Sequence, residues 1–107
     1  MPTYNKLVRD NIPQVIEATG KTFRTRILDD AEYRVELHTK LREEMNEYLS
    51  AMNSADALEE LADLLEVVRA LSVIHCSTPD ALEALRAQKA AKRGGFQERV
   101  YLINVED

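Results

Sequence analysis

Residues that interrupt helices are scarce in this sequence. Only three glycines and three prolines occur among 107 residues, so few positions can break a helix. The single cysteine, Cys76, excludes an internal disulfide and suits a reducing compartment. No apolar run approaches the roughly 18 residues of a membrane span, and we expect no signal peptide. We therefore expect a cytoplasmic protein with no membrane partner.

Basic residues are also the minority. Lys and Arg number 14 against 19 Asp and Glu, for a net charge of -5. A general basic surface for a phosphate backbone is not expected, so we predict no nucleic-acid partner. The length suits a single domain, residues 1–107, of a size at which oligomerisation often completes the core.

Apolar periodicity predicts an all-α fold, an antiparallel bundle of four helices. The helices lie within residues 9–20, from 29–30 to the break at 53–54, from there to about 74, and within 76–93. Thr78 is expected to cap the last helix, with Pro79 in its first turn and Gly94 at its end. Two β-branched segments, 21–28 and 99–105, predict a small strand appendage. The leucine-rich helices carry more apolar surface than one small core covers, which predicts a homo-oligomer.

Carboxylates lie beside the apolar faces of both long helices. Because a helix turns about 100° per residue, Glu44 lies about 60° from Leu41 and Glu47 about 60° further round. On the next helix, Glu60 falls inside an apolar arc and Asp63 lies at its edge. That arc comprises Leu64, Val67, Leu71 and Ile74. The glutamates that point away from the apolar faces are Glu43, Glu59 and Glu66.

Two carboxylate pairs beside apolar surface call for a positive charge between them, because a buried unpaired carboxylate is costly. Mg²⁺ and Mn²⁺ prefer such oxygen ligands. The alternative is a polar seam whose carboxylates reach water, and the residues alone leave both readings open. A di-iron site is disfavoured because neither His38 nor His75 follows a glutamate at the Glu-x-x-His spacing. A zinc site is disfavoured because Cys76 and His75 have no further partners.

The acidic pattern, Glu43-Glu44-x-x-Glu47 followed by Glu60-x-x-Asp63, resembles that of the all-α nucleoside triphosphate pyrophosphohydrolases, which include the MazG-like proteins. The opening "YNKLVRDNIP" (4–13) and the closing "KAAKRGGFQERVYL" (89–102) resemble its small phosphoribosyl-ATP pyrophosphohydrolase-like subgroup. The resemblance spans nearly the whole chain.

The resemblance implies a homodimer or homotetramer that cleaves the α–β phosphoanhydride of a nucleoside triphosphate, giving a monophosphate and pyrophosphate. Glu44, Glu47, Glu60 and Asp63 would be the ligands of Mg²⁺, with Mn²⁺ as a substitute. Glu44 and Glu47 would act in catalysis, with Glu47 as the base that takes the proton of a water.

Basic residues near both ends have a possible role in phosphate binding. With the resemblance, the candidates are Lys6 and Arg9, which flank Leu7-Val8 near the start of the sequence, and Lys89 and Arg93 in the last helix. The alternative for the last helix is that its basic residues only complement the helix dipole. Two other functions stay open: hydrolysis of phosphoribosyl-ATP in histidine biosynthesis, and a non-catalytic module that binds nucleotide or protein.

Overall fold

The protein is all-helical in the computed structural model, which describes residues 2–107. The four helices are α1 (Ile12–Glu17), α2 (Asp30–Ser50), α3 (Ser54–Ile74) and α4 (Pro79–Arg93). The all-α prediction is confirmed. Every helix in residues 2–107 is too short or too polar to cross a lipid bilayer.

Side-chain caps set where the three long helices begin. Asp29, Asn53 and Thr78 each accept a hydrogen bond from the backbone N–H three residues later, at 2.8, 2.9 and 3.0 Å. Each cap satisfies a donor that has no partner inside the helix. Pro79 occupies the first turn of α4, and Gly94 follows its last residue. These boundaries are those that the sequence predicts.

The first helix, α1, is shorter than its predicted segment 9–20, and the Asn11 side chain makes no capping bond.

The centre of the structure is a hairpin in which α2 packs along α3. The turn between them, residues 51–53, is only three residues long. Among residues 2–107, Leu37 is the single apolar side chain that is buried, with 3% of its surface exposed. The half-buried apolar positions of α3 include the predicted arc, Leu64, Val67, Leu71 and Ile74. By contrast, three leucines on another side of α3 are exposed: Leu58, Leu61 and Leu65.

The four helices do not close into a compact bundle. Helix α4 contacts α3 alone, and α1 packs against no other helix of the described chain. The radius of gyration is 18.4 Å, whereas a compact chain of this length has about 13 Å. The bundle prediction therefore needs correction: one hairpin carries the packing. The six-residue α1 is too short to supply a second apolar face.

The predicted strand appendage does not form within one chain. Residues 2–107 contain no β-strand. Within 21–28 and 99–105, the single backbone hydrogen bond runs from Arg99 N–H to the Phe96 carbonyl at 3.2 Å, which closes a turn and joins no strands. An isolated pair of strands is marginal in water, because it needs a third strand or a helix to cover its apolar face. Both segments instead lie outside the helices, on the exposed surface of the molecule.

Candidate metal site

Helices α2 and α3 bring three carboxylates together. Glu44 and Glu47 come from successive turns of α2 and Glu60 comes from α3, and one oxygen of each lies within 4.8 Å of the other two. The hairpin explains the meeting, since each helix directs an i, i+3 carboxylate pair toward its neighbour. Three of the four predicted ligands therefore share one site.

Two oxygens of this cluster have no partner. Glu44 Oε2 and Glu60 Oε2 are shielded from solvent, and neither forms a hydrogen bond within the described chain. A buried carboxylate oxygen without a partner costs free energy, because its hydration is lost and not replaced. The Glu47 side chain, in contrast, is exposed. The cluster thus combines two oxygens shielded from water with one carboxylate open to it.

The proximity of the carboxylates changes their acidity. The pKa of Glu60 is raised from its ordinary 4.5 to about 7, first because a hydrogen bond to Glu47 holds the proton on it. Partial burial and the charges of Glu47, Asp63 and Glu44 add to the effect. The pKa of Glu44 is also raised, chiefly by burial and then by the charge of Glu47, while Lys40 opposes the shift. The neighbouring acids therefore do not all carry a charge near neutral pH.

Asp63 lies beside this cluster but is not one of the three. It accepts a hydrogen bond from Arg9 Nη2 at 2.6 Å, an ion pair that joins α3 to the segment before α1. Both side chains remain about half exposed, at 59% for Arg9 and 42% for Asp63. The charge of Asp63 still raises the pKa of both Glu44 and Glu60. Asp63, the fourth predicted ligand, is therefore close enough to shift the pKa values of Glu44 and Glu60. Arg9, a predicted phosphate-binding residue, forms an ion pair with Asp63.

The other predicted basic residues lie apart from the carboxylates. The Lys6 ammonium stands over the ring of Tyr4, 5.4 Å from its centroid. Lys89 and Arg93 are exposed on α4, and among residues 2–107 neither forms an ion pair. Arg93 occupies the last turn of α4, where a positive charge complements the helix dipole. One chain therefore brings only Arg9 to the candidate site.

The remaining acids behave as surface residues. Glu43 is exposed and lies 3.7 Å from Lys40. Glu59 and Glu66 are exposed on α3, on the side that the helical period assigns to them. Sequence reasoning missed two contributions, the Arg9–Asp63 pair and the influence of Lys40 on Glu44. The i, i+4 spacing of Lys40 and Glu44 was a usable signal for the second, whereas nothing local indicated the first.

Comparison with known proteins adds one relative. An uncharacterised protein of Mycolicibacterium smegmatis (strain ATCC 700084 / mc(2)155) is 46% identical over 54 residues. The match covers 50% of this chain, and the chain spans 55% of the length of that relative. No family profile matches the chain. No solved structure matches it either.

Proposed function

We propose that this protein is a Mg²⁺-dependent nucleotide pyrophosphohydrolase, with Mn²⁺ as a substitute metal. It cleaves the α–β phosphoanhydride of a nucleoside triphosphate and releases a monophosphate and pyrophosphate. House-cleaning of the nucleotide pool is the biological role that suits this reaction. The observation that carries the proposal is the cluster of Glu44, Glu47 and Glu60, with its two solvent-shielded oxygens that lack partners.

The donor set suits a hard divalent cation. All the ligand atoms are carboxylate oxygens, and no His or Cys lies in the cluster. Without a cation, the hydrogen bond between Glu60 and Glu47 removes one negative charge by retaining a proton. A divalent cation held by Glu44, Glu47, Glu60 and the adjacent Asp63 would remove the same repulsion. When bound, Mg²⁺ supplies neutralisation of phosphate charge and polarisation of a water.

The exposure of the carboxylate side chains suggests which of them hold the metal and which one acts as the general base. Glu44 and Glu60, half-buried against the hairpin, are fixed ligands whose orientation the helices determine. Glu47 is the exposed member, so its carboxylate is the one that a water and a substrate can reach. We assign to Glu47 the removal of a proton from the attacking water and to Glu44 its positioning, as general-base catalysis requires.

Basic residues would hold the phosphates. Arg9 is the best placed, because its guanidinium already lies 2.6 Å from Asp63 at the edge of the cluster. A guanidinium can bind two phosphate oxygens at once. Lys6 lies three residues earlier on the same segment. Lys89 and Arg93 would contribute from α4 of a neighbouring chain in the assembly.

The assembly that we propose is a homo-oligomer, a dimer or a tetramer. One chain exposes 9890 Å², which is about 3,800 Å² more than a compact monomer of its mass. Obligate subunit interfaces bury about 2,000–5,000 Å² summed over both partners, and two chains together carry an excess of about 7,600 Å², which is enough for such an interface. The exposed leucines of α3 and the apolar end of the hairpin, Leu49 and Met52, lie within this excess surface. Sedimentation at micromolar concentration should therefore show a species heavier than the 12.2 kDa chain, and a monomer alone would contradict the assembly.

Carboxylate variants test the activity. A panel of nucleoside triphosphates, with phosphoribosyl-ATP included, is incubated with Mg²⁺ and the products are separated by chromatography. Glu44→Gln and Glu60→Gln should abolish metal-dependent turnover and leave the helical circular dichroism intact, because they relieve repulsion in the metal-free fold. Asp63→Asn should do the same.

The matched controls are Glu59→Gln and Glu66→Gln, which change exposed glutamates of the same helix and should leave turnover unchanged. Full activity in both Glu44→Gln and Glu60→Gln would refute the site. Orthophosphate as the primary product, instead of pyrophosphate, would refute the mechanism and leave the metal site standing.

A further inference from the structure

Two segments outside the helices leave their backbone groups unpaired. Residues 21–28 and 100–107 make no backbone hydrogen bond within residues 2–107. Both are rich in the β-branched and aromatic residues that pleated sheets favour. The apolar side chains of the second segment are 74% to 89% exposed: Val100, Tyr101, Leu102, Ile103 and Val105. Such a row of open donors, acceptors and apolar side chains is a template for pairing with another strand.

An ion pair joins the first segment, residues 21–28, to helix α2 of its own chain. Arg26 donates two hydrogen bonds to the Glu32 carboxylate of α2, at 3.0 and 2.7 Å. This pair fixes the Arg26 side chain against its own chain. In an extended strand the odd-numbered side chains then point the other way. Those residues are Phe23, Thr25 and Ile27, preceded by Lys21. Ile27 is 95% exposed and Phe23 39%.

The second segment carries a matching face. Its odd-numbered face carries Tyr101, Ile103 and Val105 before the acidic Asp107, whereas its even-numbered face combines Val100 and Leu102 with Asn104 and Glu106. An antiparallel alignment places Ile27 opposite Tyr101, Thr25 opposite Ile103 and Phe23 opposite Val105. Pairs of aromatic and β-branched residues are favourable in this arrangement. One register therefore brings the two apolar faces to the same side.

Charge selects the direction of the strands. The first segment carries Lys21 and Arg24, and neither forms an ion pair in the described chain. The second ends in Glu106 and Asp107. The antiparallel register places Lys21 opposite Asp107 and Arg24 diagonal to Glu106. A parallel alignment with the same apolar faces would instead oppose Lys21 and Arg99, two like charges.

We infer that residues 21–28 of one chain pair with residues 100–107 of a second copy of this chain as antiparallel β-strands, with Thr25 opposite Ile103. The partner is a second copy because both strands belong to this sequence and one chain leaves both unpaired. A twofold axis repeats the exchange, so that each chain donates one strand and receives another. The inference rests on the proposed homo-oligomer and is independent of the proposed hydrolysis.

Disulfide trapping tests the pairing in the full-length chain. The variant carries Cys76→Ser, which removes the native thiol, together with Thr25→Cys and Ile103→Cys. Directly opposite residues of an antiparallel pair bring their Cβ atoms within reach of a disulfide. Mild oxidation should give a covalent species of two or more chains on a non-reducing gel. A disulfide closed within one chain, or no disulfide at all, would overturn the inference.

The matched control is Cys76→Ser with Thr25→Cys and Asn104→Cys. Its two thiols project from opposite faces, so it should cross-link at least tenfold more slowly. Equal cross-linking of both variants would mean unspecific contact and overturn the register. Amide hydrogen exchange of the unmodified protein gives a second readout: about every second amide of 22–28 and 100–105, those that face the partner strand, should be protected and should lose protection on dilution.

Unprotected amides at every concentration would overturn the pairing without any variant. These measurements use neither nucleotide nor Mg²⁺, so their failure leaves the proposed activity untouched. A dimer in sedimentation, combined with no cross-link in the Thr25→Cys and Ile103→Cys variant, would overturn the strand pairing and leave the proposed homo-oligomer standing.

Discussion

The binding of Mg²⁺ should release protons, because the candidate site holds a proton at neutral pH when no metal is present. The hydrogen bond with Glu47 and the surrounding charges raise the pKa of Glu60 to about 7. A metal ligand must be deprotonated, so proton and metal compete for the same oxygens. With a pKa of about 7, roughly half a proton per site leaves when Mg²⁺ binds at pH 7, and about nine-tenths at pH 6. The apparent dissociation constant of Mg²⁺ should therefore tighten about tenfold between pH 6 and pH 8.

Calorimetric titration with MgCl₂ measures both quantities. Titrations in two buffers of equal pH but different heats of ionisation give the number of protons released. Glu59→Gln is the control, since this exposed residue lies outside the cluster and should leave both the affinity and the proton count unchanged. If Mg²⁺ bound with one affinity at pH 6 and pH 8 and released no proton, the shared proton of Glu60 and Glu47 would not lie in the metal site, and the reasoning would fail.

Four further outcomes follow from the same structure. The melting temperature of the metal-free protein should fall as pH rises from 4.5 to 7, because the native chain binds the Glu60 proton more tightly than the unfolded chain does. Gly94→Ala should cost about 1–3 kcal/mol in urea unfolding, since Gly94 has φ 86 and ψ 172, whereas Gly95→Ala, without a positive φ, should cost less. Leu37→Ala should cost about 2–5 kcal/mol in the same assay because it empties the buried position of the hairpin. Arg93→Ala should raise KM more than it lowers kcat if this arginine holds phosphates equally in ground and transition states. An unchanged KM would leave Arg93 only the role of complementing the negative C-terminal end of the α4 dipole.

Local chemistry made the helices predictable. The caps at Asp29, Asn53 and Thr78 act within three residues, so the sequence alone determines where these helices begin. The helical period likewise separates Glu60, which is half-buried, from the exposed Glu59. Both features depend on neighbours along the chain, which a single sequence displays in full.

Features that depend on distant contacts were not predictable in this way. Leu61 and Leu65 are as apolar as the half-buried arc of α3 that includes Leu64, yet they are exposed. The position of α2 decides which side of α3 is covered, and the sequence of α3 does not show it. The Arg9–Asp63 pair joins residues 54 apart, and no periodicity links them. The strand pairing expected for 21–28 and 99–105 is absent from one chain, because β-propensity describes what a segment can pair with and not where its partner lies.

The short turn between α2 and α3 has a consequence for the order in which the molecule assembles. Glu47 and Glu60 are 13 residues apart, so a single helical hairpin brings them together. Helices form in about 0.1–1 μs, and loops of about ten residues close faster still. Closing the 54-residue separation between Arg9 and Asp63 costs about 1.3 kcal/mol more in chain entropy than closing 13 residues. An exposed ion pair contributes only about 0.2–1 kcal/mol, so it does not offset that difference. We therefore expect the three carboxylates to meet early in folding, while the arginine joins them only after the hairpin is complete.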